Sequence, residues 1–432
     1  RVRGFLGYSL NALSYARESG SNSIQHALNA AATIEAVEDW AFVDVAGSIS
    51  QQAISVFGLQ SRDNAVTNDN RTAVTTYSLS PYVRGRIADV ANYEARLTYI
   101  GSSSDSSAVS NAATSEALFR IGGATAFRAL GWSVDASRQT FQYDTTGTVH
   151  SDRVRGVLSY AVTPELRLTL IGGRESENYA GSGNISHNTT GWGFDWTPTE
   201  RTRISAIREQ RFFGNSHAFT LEHRTPRTVW KFTDSRDLAS GFNQLRLGSL
   251  GTAYDLFYTQ FASIEPDPVA RAVLVNAFLQ SNGIAPNTVV LGGSLASATL
   301  VQRRQELSFG WSGLRDTLTI SIAQSEGDRA EQVVIVNDDF ANGNRVRQRG
   351  VSVSLAHRLT PVSALNVTAT VQTSSGTVDA RSSRLRTLTI GWSGEVSART
   401  RLSLSGRHSR SDGSPDNRYD ESALIGTLDM RF

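Results

Sequence analysis

The chain has 432 residues, a formal net charge of +2 and a hydrophobic share of 39%. The near-balanced charge removes a bulk electrostatic case for nucleic acid. No apolar run reaches about 18 residues, which removes a membrane-spanning helix. A soluble chain of this length normally draws its core from a larger apolar share, whereas a bilayer-spanning β-barrel needs only alternate residues of each strand to be apolar.

Of the 42 basic residues only Lys231 is a lysine, and there is no cysteine. A cell-envelope protein that crosses an oxidising compartment unfolded is well served by that lack. The sequence opens at Arg1 without an apolar leader, so it reads as a mature or trimmed chain whose signal peptide is gone.

In chain order, Gly4 to Tyr15 and Trp40 to Gln51 have strand character, Ser23 to Val37 fits a strand or a short helix, and Ser61 to Arg71 is a polar loop. From Thr72 a period of two sets in, the mark of a strand with one apolar and one polar face. Tyr77, Leu79 and Val83 oppose Ser78, Ser80, Arg84 and Arg86, with Pro81 expected to mark a bulge or a strand end. Tyr93, Ala95, Leu97 and Tyr99 oppose Glu94, Arg96 and Thr98; Leu130, Trp132 and Val134 oppose Ser133 and Asp135. The pattern continues through Leu166 to Leu170 and Trp192 to Trp196. It is cleanest in the last third, at Leu307 to Trp311, Leu318 to Ile322, Val351 to Leu355, Leu365 to Val371, Leu388 to Trp392 and Leu402 to Leu404.

The final stretch, Ser422 to Phe432, puts Leu424, Leu428, Met430 and Phe432 on one parity and Thr427, Asp429 and Arg431 on the other. A strand ending on an aromatic resembles the carboxy-terminal signal that the outer-membrane barrel-insertion machinery reads, which makes Phe432 the expected insertion signal.

Short turns at 161–166, near Pro198 and at 359–364 alternate with longer loops at 101–114, 142–152 and 175–190. Short turns at one rim and long loops at the other are the habit of transmembrane barrels, the short turns being periplasmic. No repeat of fixed length supports a solenoid. The expected fold is therefore all-β, a transmembrane antiparallel up-and-down β-barrel of about 18 strands within a range of roughly 16–20, large enough for an aqueous interior. Residues 1–432 form that single barrel, with apolar residues facing lipid and small polar residues lining a hydrated lumen.

One interval, 241–295, breaks the alternation. Asp267 and Pro268 supply N-terminal helix punctuation, Asn282-Gly283 a C-terminal stop, and Val273, Leu274, Ala277 and Phe278 one helical face. A helix of about 14 residues in a long loop is expected, folded into or across the pore or packed on its rim. Asp267, Arg271 and Phe278 are its gating candidates.

Several residues carry possible chemistry. Arg84, Arg86, Arg96, Arg167, Arg203, Arg304, Arg401 and Arg407 fall on the polar parity, where guanidinium groups can hold the carboxylates of an acidic glycan. Glu94, Asp135, Asp195 and Glu306 share that parity and offer the alternative of a neutral cross-strand network. Trp132, Trp192, Trp196, Trp311 and Trp392 lie on the apolar parity and read as interface girdle. Phe212 and Phe213 are consecutive, so one ring faces inward if both lie in a strand, where it would suit sugar stacking.

No metal-ligand spacing, phosphate loop or nucleophile–base pairing appears. His223, between Glu222 and Arg224, is the one residue that an outer-membrane hydrolase would use. No catalytic residue, metal or cofactor is expected.

Specific wording runs through the middle of the chain. Arg211-Phe212-Phe213-Gly214-Asn215 is followed by His223-Arg224-Thr225-Pro226-Arg227-Thr228-Val229-Trp230 and then by the Asp267-Pro268 helix. Over residues 70–432 this order resembles the outer-membrane β-barrel proteins associated with PEP-CTERM sorting and exopolysaccharide systems, one branch of the β-barrel porins. The resemblance implies a Gram-negative outer-membrane location among lipid and lipopolysaccharide. It also implies non-enzymatic export of a polysaccharide beside a periplasmic polysaccharide-export protein. A passive diffusion porin is the alternative. A TonB-dependent receptor is not expected, since no globular plug segment precedes the strands.

Overall fold

A computed structural model describes all residues except 14–21, 61–69, 107–110, 145–146, 179–183, 240–256, 259–260, 262–270, 272–273, 276–298, 331–338, 341–344, 378–380, 398–399, 414–417 and 431–432. The period-two pattern becomes twenty strands: β1 Val2–Leu13, β2 Ser23–Val37, β3 Ala41–Ala53, β4 Arg71–Ile87, β5 Ala91–Ser104, β6 Ala112–Ala124, β7 Leu130–Tyr143, β8 Gly147–Ala161, β9 Leu166–Glu177 and β10 Ile185–Thr199. The second half comprises β11 Thr202–Arg211, β12 Gly214–Arg224, β13 Thr228–Ala239, β14 Leu300–Ser312, β15 Asp316–Arg329, β16 Val346–Thr360, β17 Ser363–Gly376, β18 Ser382–Ser397, β19 Thr400–Asp412 and β20 Tyr419–Met430. Twenty is the upper end of the range read from the sequence. The 23–37 stretch is a strand rather than a helix.

Each strand pairs antiparallel with the next in sequence, from β1–β2 to β19–β20. Among the described residues β1 and β20 each have one strand neighbour. Successive antiparallel strands with a right-handed twist curl into an up-and-down barrel. The curl brings the segment after β3 onto the starts of β16 and β18.

Burial runs opposite to that of a soluble sheet. Leu170 is 65% exposed, Leu158 52%, Ile390 48% and Leu424 86%, while Ser308, Ser321, Ser352, Thr370 and Thr387 on the other parity are buried. The apolar face is thus the outer one. A wall of exposed Leu, Ile, Val and aromatic side chains on this many strands is stable only against hydrocarbon, so the chain is a membrane β-barrel of the outer-membrane type. On β17 the outward residues Leu365, Val367, Ala369 and Val371 cover four positions, about 20 Å along the strand and comparable with the apolar band of such barrels.

The two rims differ as expected. Turns 38–40, 88–90, 162–165, 200–201, 225–227, 313–315 and 361–362 mark one rim. At the first of them Asp39 sits in the left-handed region (φ 56°), and the Glu35 carboxylate accepts its N–H. The opposite rim carries the longer connections, but these are shorter than the sequence implies. β5 and β6 extend into 101–114, β7 and β8 into 142–152, and β9 and β10 into 175–190. Beyond the membrane both faces of a strand turn polar, so apolar alternation stops while backbone pairing continues.

Pro81 neither bulges nor ends β4. It stays within the strand, and the β4–β5 pairing skips from Leu79↔Tyr99 to Tyr82↔Arg96 around its missing N–H.

Candidate functional site

Three of the eight candidate arginines, Arg96, Arg203 and Arg407, are engaged in ion pairs within the wall. Arg96 reaches Asp44 and Glu94, both at 2.9 Å, and lies 3.7 Å over the Tyr82 ring. Arg203 holds Asp195 at 2.6 Å, and Arg407 holds Glu421 at 2.7 Å. Arg120 and Arg155 share Asp135 at 2.6 and 3.0 Å. Arg84 stacks 4.5 Å from the Phe42 ring, and Arg86 sits at the short-turn rim, 3.9 Å from Asp89. Arg304 shares a strand face with Glu306, whose carboxylate accepts from Ser308. Arg401 is in register with Glu395 and Asp429. Part of the arginine set is thus tied to carboxylates of the wall, at Arg96, Arg203 and Arg407.

Arg167, Arg203 and Asp195 do come together, in an open recess of about 450 Å³ near the short-turn rim. Thr169, Ser205 and Thr220 complete its polar side. An apolar groove of about 940 Å³ lies elsewhere. Ala41, Val43, Val83, Leu97 and Phe119 line it, all outward residues, so it faces lipid and not the lumen.

Toward the long-loop rim ion pairs again reach between non-adjacent strands. Arg155 on β8 reaches Glu209 on β11 at 3.3 Å, three strands away. Arg211 on β11 bridges Glu175 on β9 and Asp237 on β13. Glu175 is fully buried and the Arg211 side chain is 7% exposed.

Above this network the mouth is crossed by apolar contacts. Phe141, Tyr143 and Val149 of β7 and β8 pack with Phe212, Leu238 and Ala330. Ala330 follows β15, eight strands from β7, so the contact spans the interior. A second cluster joins Val56 and Phe57, after β3, to Leu300, Phe340 and Val346 at the starts of β14 and β16.

Polar contacts fix this second cluster. The Asp339 carboxylate accepts from the Ser55 hydroxyl at 2.6 Å and from the Val56 N–H at 2.7 Å. Ser383 donates to the Val56 carbonyl at 3.0 Å, and Arg381 lies 4.8 Å over the Phe57 ring. The Asn70 amide closes the segment on itself through the Ser55 and Leu59 carbonyls. We call residues 54–60 the strap. It joins wall segments on either side of β1 and β20. Sequence reading missed it; the apolar pair Val56-Phe57 within an otherwise polar connection was the available signal.

The family-motif residues fall at both rims. Phe212 and Phe213 lie in no strand. They form the two-residue turn between β11 and β12, where Gly214 at φ +98° permits the tight reversal. The rings meet edge to face at 5.2 Å, and Arg211 and Arg236 stack on Phe213 at 5.1 and 5.3 Å. Phe212 therefore belongs to the packed mouth, not to a sugar platform. The Asn215 carbonyl accepts from Arg236.

At the opposite rim His223 shares a hydrogen bond with the Thr202 hydroxyl at 2.9 Å, and Arg224 donates to the Glu200 carbonyl. Thr225 accepts the Thr228 N–H across the Pro226 turn. Trp230 faces outward, 4.3 Å from Phe309, and Trp192 and Trp196 on β10 are exposed as well.

In the 241–295 interval Arg271, Leu274 and Val275 are helical, as are Phe257, Tyr258 and Phe261. Phe257 and Val275 are fully buried, and Arg271 lies 4.8 Å over the Tyr258 ring. Asp267, Phe278 and Phe432 lie outside the described residues. Among the described residues no group of His, Asp and Glu has the geometry of a metal site.

No family model matches the chain, and no curated protein does. Solved structures do. The siderophore receptor PirA from Acinetobacter baumannii is 7% identical with a TM-score of 0.47, the match covering 99% of this chain and 73% of that one. The ferric enterobactin receptor PfeA from Pseudomonas aeruginosa is 9% identical with a TM-score of 0.45, covering 99% and 80%. The copper transporter OprC is 11% identical with a TM-score of 0.42, covering 99% and 71%. At these values the likeness says nothing about cargo, and the identification as a membrane barrel rests on the inverted surface described above.

Proposed function

We propose that this chain is a gated outer-membrane passage for a polysaccharide, working beside a periplasmic polysaccharide-export partner. The observation that carries the gating is the closed mouth: apolar side chains from opposite walls meet across the long-loop rim, and the strap is fastened there by Asp339. A permanently open diffusion pore has no use for such a closure.

The cargo class rests on the resemblance of the R-F-F-G-N and H-R-T-P-R-T-V-W pieces to exopolysaccharide-system barrels. Inward rows of Ser and Thr, such as Ser352, Thr370 and Thr387, offer hydroxyls to sugar hydroxyls. The paired arginines favour a neutral or weakly charged glycan over a strongly acidic one, because their carboxylate partners already occupy them. We assign Asp267, Arg271 and Phe278 of the interval 241–295 to the gate, a reading drawn from the sequence.

Surface polysaccharide in a strain lacking this protein tests the reading. The polymer should vanish from the surface and return with a complementing copy; unchanged surface polymer would remove export. The porin alternative draws on the open polar recess around Arg167 and Asp195, and it requires steady ion conduction by the purified protein alone.

A further inference from the structure

On several strands the outward face runs from apolar residues near the short-turn rim to arginine beyond them, although β15 ends in Glu326 and Asp328 and β17 in Thr373 and Ser375. On β18 Trp392, Ile390 and Leu388 give way to Arg386 and Arg384; on β16 Leu355, Val353 and Val351 give way to Arg349 and Arg347. On β19 Leu402 and Leu404 precede Gly406, His408 and Arg410. Arg174 on β9 and Arg208 on β11 hold equivalent places. These groups lie on the lipid side of the wall, so the lumen network does not explain them.

The densest part is on β16 to β19. Arg386 sits directly opposite Arg410 in the register, and Arg384 opposite Asp412. Like charges placed opposite one another on a sheet face oppose its stability. Arg410 donates to Asp412 at 3.1 Å, and Arg349 donates to the Gln324 amide oxygen at 2.9 Å. His408 faces Asp420 at 3.6 Å and Ser422 at 3.0 Å. Arg384 and Arg386 have no carboxylate partner among the described residues. Arg347 is already paired with Glu326; beyond that pair, four guanidinium groups, Arg349, Arg384, Arg386 and Arg410, share the surface with two carboxylates, Asp412 and Asp420, leaving two positive charges in excess. Arg386 lies only two residues, roughly 7 Å, beyond the exposed Leu388.

We propose that Arg349, Arg384, Arg386 and Arg410 form a binding site for the phosphate groups of the outer-leaflet glycolipid, lipid A. The acyl chains would lie against Leu388, Ile390 and Leu404. A dianionic headgroup matches the charge excess, offsets the Arg386–Arg410 repulsion, and receives forked N–H donors suited to phosphate. The acyl band beside the site calls for a phosphate carried on a lipid rather than a free one. The inference rests on the outer-membrane reading and on the long-loop rim facing outward, but not on transport.

The test is retention of bisphosphorylated lipid A by the purified full chain in detergent, against dephosphorylated lipid A and phosphatidylglycerol. Folding is read from heat-modifiable mobility on a gel. Wild type should retain the bisphosphorylated form at least about tenfold better than either comparison lipid, and the triple variant R384Q/R386Q/R410Q should lose that preference. R227Q, on the short-turn rim, should keep it.

If the triple variant does not fold, R386Q alone decides: its urea midpoint should rise as the like-charge pair is relieved, while lipid A retention falls. Equal retention by wild type and variant overturns the site. Equal retention of phosphatidylglycerol overturns its assignment to lipid A. Neither outcome touches the export reading, which surface polysaccharide tests separately.

Discussion

At the residue scale, two carboxylates hold the mouth together. Glu175 is fully buried and accepts from Nε, at 3.2 Å, and Nη2 of Arg211, while Arg211 Nη1 reaches Asp237. Removing Glu175 leaves the nearly buried Arg211 with only the half-exposed Asp237, a loss approaching the roughly 3–5 kcal/mol of an uncompensated buried charge. Glu175→Ala should therefore lower the urea unfolding midpoint of the folded barrel in detergent by that order. Asp237→Ala, whose carboxylate is half exposed, should cost about 1 kcal/mol or less. Equal effects would mean that the interior is wetter than the geometry implies. Asp339 differs in kind, because it holds the strap: replacing it removes the acceptor of the buried Val56 N–H and of the Ser55 hydroxyl, a local cost of about 1–3 kcal/mol.

At the scale of elements, the inside-out pattern makes opposite demands on neighbouring residues. On β19 Leu404 faces lipid and Ser405 the lumen. Leu404→Arg should destabilise the barrel by about 2–4 kcal/mol, whereas Ser405→Arg should cost under about 1 kcal/mol, since a hydrated wall accepts charge. Urea titration of the two variants gives the comparison; a reversed order would invert the assignment of faces.

The same pattern explains what was readable in the sequence. Strand centres from β14 to β19 were plain because lipid on one side and water on the other impose a strict period of two. Strand ends were not, because above the membrane both faces are polar; hence the overlong loops placed at 142–152 and 175–190. Phe212 and Phe213 looked like strand residues because Gly214 gives no sign in sequence of the φ it adopts. The lumen arginines were found by parity, but whether they are free or paired depends on register, as with Arg203 and Asp195 across β10–β11. The strap was illegible beyond its apolar pair, since Asp339 lies 284 residues from Ser55.

At the scale of the whole molecule, the barrel is a lipid-facing wall around a polar interior, with two apolar clusters crossing the long-loop rim. The wall would serve any outer-membrane barrel; the clusters are what separates a gate from an open pore. The strap fastens the chain's beginning to its last third, bridging β1 and β20, so its release should alter conduction more than folding. The most direct measurement is the planar-bilayer conductance of purified wild type and Asp339→Ala, both checked for folded mobility. Wild type should be almost silent, and Asp339→Ala should open frequently. Steady conduction by wild type, unchanged in the variant, would contradict the closed mouth and leave a diffusion porin in its place.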